Sequence, residues 1–195
     1  MIKELRTYGI EELPTGWTVE HVGEFAQIGT GGRDTQDKVP DGKYPFYVRS
    51  QTVERINSYS YDGVAVLTAG DGVGTGKVFH FVEGRFDFHQ RVYKVSDFAE
   101  HVWPRYFYEF FRRHFIRQVV RYTAKTSVDS VRMEMISKMA IPLPPLSTQK
   151  KIASLLQTYD EEIELLAQRT QLLKKRKLGL AQQLLTGKLE PVSVE

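Results

Sequence analysis

The most constraining stretch of this 195-residue chain is its C-terminal fifth. Apolar residues recur there at Ile152, Leu156, Tyr159, Ile163, Leu166, Leu173, Leu180 and Leu184, with Thr170 and Lys177 in the two remaining places. The steps alternate between four and three residues, the heptad seam of a helix that pairs with another helix. Charged and amide residues such as Asp160, Glu164, Gln168 and Lys174 fill the other faces. The run predicts one helix from Ser147 to about Leu185, about 57 Å long at 1.5 Å per residue. Pro142, Pro144 and Pro145 bar a helix before it, because proline lacks the N–H and pushes the preceding residue out of the α region. Ser147 or Thr148 offers an N-cap oxygen, and Gly187 a glycine stop. Acidic residues gather in the first half and basic ones in the second, as the helix dipole favours. Gly179, which costs about 1 kcal/mol relative to alanine, marks a close helix contact or a weak point. No second heptad helix of this length exists in the chain, so the seam predicts a partner on another chain. A helix folded back on its own domain is the competing reading.

The remaining residues read as one α+β domain. Residues 1–16 look like a polar lead-in ending in the turn Leu13-Pro14-Thr15-Gly16. Residues 17–28 suggest a strand and a short helical turn near Phe25. From Tyr44 to Val95, short β-rich runs alternate with glycine turns, which predicts a curved, mostly antiparallel, partly open sheet. Pro104 then opens a helix with Tyr106, Phe107, Phe110, Phe111, Phe115 and Val119 on its apolar face. Between residues 105 and 125, six cationic side chains stand against Glu109 alone, a net +5 in a chain whose total is +3. A polar basic loop follows at 123–128, then a short amphipathic piece at 131–136.

Several chemistries fail on inspection. A P-loop needs a glycine five positions before Gly76, with four residues between, and that position is Asp71, while Val78 replaces the Ser/Thr. A dinucleotide fingerprint begun at Gly70 meets Thr75, and one begun at Gly72 meets Lys77. The stretch reads as a hairpin of tight turns using positive φ, or as a loop with Lys77 aimed at a phosphate. The five histidines lack metal-ligand spacing, with a His80–His89 pair across a hairpin as the residual option. There is no cysteine, hence no disulfide or thiolate metal site. No Gly-x-Ser-x-Gly elbow or defensible carboxylate pair is present. Binding is better supported than catalysis, through an aromatic, basic helix and polar loops carrying Arg33, Arg49, Gln51, Lys77, Gln90 and Lys125. Plain solvation is the bland account of the basic face. No apolar run approaches membrane-spanning length, and the N-terminus lacks a signal-peptide core. Both predict a cytoplasmic protein with no membrane partner.

Six motifs then come in order: Leu13-Pro14-Thr15-Gly16-Trp17, Gly42-Lys43-Tyr44-Pro45-Phe46, Leu67-Thr68-Ala69-Gly70-Asp71-Gly72-Val73-Gly74, His89-Gln90, the run from Ile141 through Pro145 into Gln149-Lys150-Lys151-Ile152-Ala153, and Leu184-Leu185-Thr186-Gly187-Lys188. In them the chain resembles the specificity subunit of type I restriction–modification systems. The proline run into Gln-Lys-Lys-Ile-Ala and the Leu-Leu-Thr-Gly-Lys ending are the specific part, and the resemblance covers nearly everything beyond the lead-in. It implies a target-recognition domain over 1–146, a spacer helix over 147–187 and a tail over 188–195. Full-length members have two recognition domains, each reading half of a bipartite DNA site, and two helices paired antiparallel. This sequence has one of each and so resembles a half-size form that dimerises through Ile152, Leu156, Tyr159, Ile163, Leu166, Leu173, Leu180 and Leu184.

The implied DNA contacts are Arg33, Arg49, Gln51, Lys77, Gln90, Arg121, Lys125 and Ser127, on loops around 30–35, 49–52, 70–77 and 122–128. The family's Asn-Gln at the hairpin is His89-Gln90 here. The implied partners are double-stranded DNA, a second copy, adenine methyltransferase subunits and, in a complete system, restriction motor subunits. The chain lacks the Asn-Pro-Pro-Tyr/Phe motif of methyl transfer. It is therefore expected to be non-catalytic and without a cofactor of its own, S-adenosylmethionine belonging to the methyltransferase. The alternatives are a coiled-coil scaffold whose sheet domain binds protein, and a metal-dependent nuclease, for which the carboxylate cluster is missing.

Overall fold

The computed structural model describes residues 2–122 and 130–190. Its elements are α1 (Ile2–Leu5), β1 (Thr18–His21), α2 (Val22–Phe25), β2 (Gln27–Thr30), β3 (Tyr44–Tyr47), β4 (Val53–Ile56), β5 (Tyr61–Ala69), β6 (Phe79–Phe88), β7 (Val92–Ser96), α3 (Pro104–Tyr122), α4 (Met133–Ser137), β8 (Ala140–Leu143) and α5 (Leu146–Leu185). The class is α+β: one open six-stranded sheet, a separate two-stranded ladder, a few helices and a long C-terminal helix. None of these helices is long and apolar enough to cross a membrane.

The six-stranded sheet runs β2-β7-β5-β6-β3-β4. Every pairing is antiparallel except β3 with β6, where Phe46 faces Asp87 and Tyr47 faces Phe88 in parallel. Its curvature follows from the register. Tyr61 pairs with Phe86, and Ala69, eight residues along β5, pairs with Val92. Eight strand residues rise about 26 Å, whereas the six from Phe86 to Val92 reach about 22 Å at full stretch. A flat sheet cannot satisfy both pairings, so β5 and β6 bend and the turn after Phe88 folds back over the sheet. Ala65, Leu67, Val82, Phe86, Phe88 and Val92 form the apolar cluster inside that bend.

Among the described residues β8 pairs only with β1. Pro142 sits in this two-stranded ladder, where a strand with one open side tolerates a missing donor. Helix α3 starts at Pro104 and buries Phe107, Phe111, Phe115 and Val119 completely. These four lie one helical turn apart and pack with Val66, Phe79 and Val95 of the sheet. The Phe107–Phe111 and Phe111–Phe115 rings stack at 5.1 and 4.4 Å.

The structure corrects the reading of the lead-in. Residues 2–8 form α1 and a short 3-10 turn, and Leu5 and Tyr8 are core residues. The Tyr8 hydroxyl donates to Gln118 Oε1 at 3.0 Å. Two apolar residues three apart carry no detectable period, and the surface that buries them lies a hundred residues downstream.

Helix α5 starts one residue before the expected Ser147, with neither hydroxyl at the cap position. Leu146 is already helical, and the Pro145 carbonyl accepts from Thr148 N–H at 2.8 Å and Gln149 N–H at 3.1 Å. The far end stops as expected: Gly187 has φ +69°, its N–H donates to Leu184 O, and Lys188 N–H donates to Gln183 O. This is the paired closure of a glycine-terminated helix. The first two turns belong to the compact unit, which extends through Ala153; a second unit begins at Ser154. Gln149 is fully buried, with Oε1 accepting from Trp103 N–H at 2.8 Å and Nε2 donating to the His101 and Pro144 carbonyls, each at 2.8 Å.

Candidate nucleic-acid interface

Four connections in the compact unit carry the predicted polar residues: 31–43 after β2, 48–52 after β3, 70–78 between β5 and β6, and 89–91 between β6 and β7. The fold ties them together with three aspartates. Asp71 accepts from Arg49 Nη1 at 2.8 Å and lies 3.8 Å from Arg91 Nε. Asp34 accepts from Gln90 Nε2 at 3.1 Å. Asp87 accepts from Arg33 Nε at 3.2 Å. Gln51 Nε2 donates to the Lys77 carbonyl at 3.1 Å, joining the 48–52 connection to the glycine stretch. In that stretch Gly72 and Gly76 have φ of +71° and +67°, the tight-turn geometry expected of the glycines. Arg49, Ser50, Thr35, Asp71 and Gly72 line an open cleft between the connections.

His89 sits at the centre of this cluster and is buried. Its Nδ1 accepts from Arg91 N–H at 2.9 Å, so a neutral ring carries its proton on Nε2, 4.0 Å from Asp34. Burial, then Arg49, hold its pKa below the ordinary histidine value against the opposing pull of Asp34 and Asp71. His80 is lowered by burial as well, though a bond to the Ser50 carbonyl at 3.1 Å opposes the shift. The two histidines have different partners. Among the described residues no group of three or more His, Cys, Asp or Glu could hold a metal ion.

The structure thus gathers Arg33, Arg49, Gln51, Lys77 and Gln90 into one connected set of loops. Arg121 is exposed in the last turn of α3, where its charge reaches the buried Tyr8 phenol. Lys125 and Ser127 lie outside the described residues. The basic face of α3 is less available than its charge suggests. Arg105 and Arg112 both reach Glu109, at 3.4 and 2.7 Å, and Arg117 donates to the Tyr8 carbonyl at 3.0 Å. Sequence reasoning missed Asp71 and Asp87 as the groups that hold Arg49 and Arg33, and Asp34 and His89 as the acceptors for the Gln90 amide and the Arg91 N–H. Asp87 was the one with a signal: a carboxylate between Phe86 and Phe88 in a strand needs a partner wherever it is buried.

The seam of α5 divides in two. Ile152 packs against the core of the compact unit. Leu156, Tyr159, Ile163, Leu166, Leu173 and Leu180 are exposed, Ile163 by 63%, and Leu184 is half-buried. Leu155, Leu165 and Leu172 are exposed too and widen the apolar stripe on one flank.

The sequence pattern of the family described as "Type I restriction modification DNA specificity domain" matches residues 14–175. The chain belongs to this family. The EcoDI specificity subunit of Escherichia coli is 29% identical over 153 residues, covering 78% of this chain and 33% of that protein. The MjaVIII specificity subunit of Methanocaldococcus jannaschii is 25% identical over 187 residues, covering 89% and 43%. The crystal structure of the type I S subunit from M. genitalium superposes with a TM-score of 0.64 at 16% identity, over 89% of this chain and 47% of that one. A chain solved in work on complex assembly and conformational transition of the type I R-M system gives 0.63 at 16% identity, over 93% and 50%. This chain therefore spans between a third and a half of the length of these relatives, and the shared fold includes the long helix.

Proposed function

We propose that this chain is a DNA-recognition subunit of a type I restriction–modification methyltransferase, that each copy reads one half of a bipartite site, and that two copies join through antiparallel α5 helices. The observation that carries the DNA reading is the loop cluster, where Arg33, Arg49, Gln51, Lys77 and Gln90 converge on neighbouring connections of a specificity-family domain. Cations and amides of this kind serve both tasks of a DNA interface, positioning on phosphates and reading base edges. The uncovered seam from Leu156 to Leu184 supports the pairing, because a sustained heptad stripe gains stability only when another helix covers it. Two-fold symmetry then imposes an inverted repeat with an unread spacer.

On this reading the chain itself performs no catalysis. Methyl transfer from S-adenosylmethionine to adenine takes place on the methyltransferase subunit, and a restriction subunit joins the complete complex. The test is DNA affinity measured across a salt series. A protein neutralising several phosphates loses affinity steeply between about 50 and 200 mM salt, with a log–log slope of about −0.9 per contact. A steep slope with sequence preference supports the proposal. Absence of DNA retention by a folded sample contradicts it.

A further inference from the structure

We propose that Arg33 reads a guanine in the major groove and that Asp87 is the residue that positions it. The inference rests on the DNA-reading function proposed above and separates its cations into two kinds.

Arg33 is held at both its backbone and its side chain. Its carbonyl accepts from Gln90 N–H at 2.8 Å, and it forms an isolated bridge with His89. Two residues earlier, Gly31 is pressed so closely against β6 that an added Cβ would lie 1.9 Å from the Phe88 carbonyl oxygen. Only glycine fits such an approach. The 31–34 segment is therefore clamped onto the end of β6, and Arg33 cannot drift.

Its side chain is fixed by a carboxylate that has no freedom of its own. Asp87 is 1% exposed. Ser58 Oγ and Ser60 Oγ donate to it at 2.7 and 2.8 Å, Phe88 N–H at 3.1 Å, and Arg33 Nε at 3.2 Å. A buried carboxylate requires a compensating cation, and Arg33 supplies one through Nε. Its two terminal amino groups have no protein partner among the described residues, and the side chain is 46% exposed. The result is a planar fork, pinned at its base and turned outward.

That is the geometry needed to donate two hydrogen bonds to guanine O6 and N7, the commonest specific arginine contact in the major groove. A phosphate contact makes no such demand. Lys77, exposed on the glycine stretch with a flexible stem, suits that task. A purely structural role, in which Arg33 only neutralises Asp87, would leave base preference untouched by a conservative change.

The test uses the full chain and duplexes it enriches from a random library. Affinities of the unaltered protein, Arg33→Lys and Asp87→Asn are measured for an enriched duplex, for copies with each guanine in turn replaced by 7-deazaguanine, and for an unrelated duplex across a salt series. One guanine is expected at which loss of N7 costs the unaltered protein about 10-fold or more. Both variants should already show that loss on the unmodified duplex and lose nothing further from the analogue there. Affinity for the unrelated duplex, and its salt slope, should stay unchanged in Arg33→Lys. Equal weakening on every sequence would make Arg33 a phosphate contact and overturn the proposal. So would a 7-deazaguanine profile that neither variant alters, which would leave Asp87 purely structural. If Asp87→Asn fails to fold, Arg33→Lys decides alone. If the unaltered chain enriches no sequence, the DNA-reading function fails first and this assignment with it.

Discussion

Helices α3 and α5 are both amphipathic, and both announce themselves by apolar spacing. Yet α3 buries Phe107, Phe111, Phe115 and Val119 completely within the chain, while α5 beyond its first two turns leaves Ile163 63% and Leu172 67% exposed. The difference lies in what each helix has opposite it. The face of α3 lies against the sheet, whose Val66, Phe79 and Val95 belong to the same buried cluster, with the Phe79 ring edge-on to Phe111 and Phe115. The stripe of α5 repeats at heptad spacing over a length that no other described element matches. Periodicity therefore identifies a helix and its sticky face, but not the surface that covers it. For α3 that surface is internal; for α5 we assign it to a second copy.

The largest effect is expected at the uncovered seam. Replacing Ile163 and Leu166 together by Asp should abolish dimers at micromolar concentration, since a fully buried side chain of this size contributes about 1.5–3 kcal/mol and symmetry counts each site twice. Light scattering reads the mass, and melting of the compact unit should not move. An unchanged dimer mass would place the contact elsewhere. At the covered helix, Phe111→Ala should lower stability by about 3–5 kcal/mol, read as a shift of the urea midpoint; a loss below 1 kcal/mol would mean that its site is not core.

Between the two regimes sits Gln149, in the covered first turn of α5. Gln149→Ala strands the Trp103 N–H and two carbonyls, at a cost of about 1–3 kcal/mol. A neutral result in chemical denaturation would show that water replaces the amide. The smallest effect concerns His114 on α3, which packs 4.5 Å from the Phe110 ring and 5.3 Å from Tyr8. Burial, with Arg117 and Arg113, lowers its pKa from 6.5 to about 4. Folding favours the neutral ring, so the unfolded chain binds more protons between those values. Its contribution is full above about pH 6.5 and is lost as pH falls toward 4. Melting of His114→Phe should show a shallower decline over that window than the unaltered protein; parallel curves would remove His114 from the account.

Local signals carried much of this architecture. The long helix, the proline run before it, the closing Gly187 and the Pro104 start of α3 each depend on residues within a few positions of one another, and each stands where the sequence places it. Features that depend on distant segments were not legible. Leu5 and Tyr8 read as polar lead-in because the core that receives them is built from α3. In the loop cluster the cations were visible, but their partners were not: Arg33 and Asp87 are 54 residues apart and Arg49 and Asp71 are 22 apart. Strand pairings between distant segments bring them together. The charge of α3 misled in the opposite direction, because Glu109 and the Tyr8 carbonyl engage three of the arginines that composition offers to DNA.

The most direct test is selection from a random duplex library by the full chain, alone and with the methyltransferase subunit proposed above as its partner. The expected product is a gapped inverted repeat, two identical half-sites separated by an unread spacer of fixed length. Enrichment of a single ungapped half-site would keep the recognition domain and contradict the paired helices, and no enrichment by a folded sample under either condition would contradict DNA recognition itself.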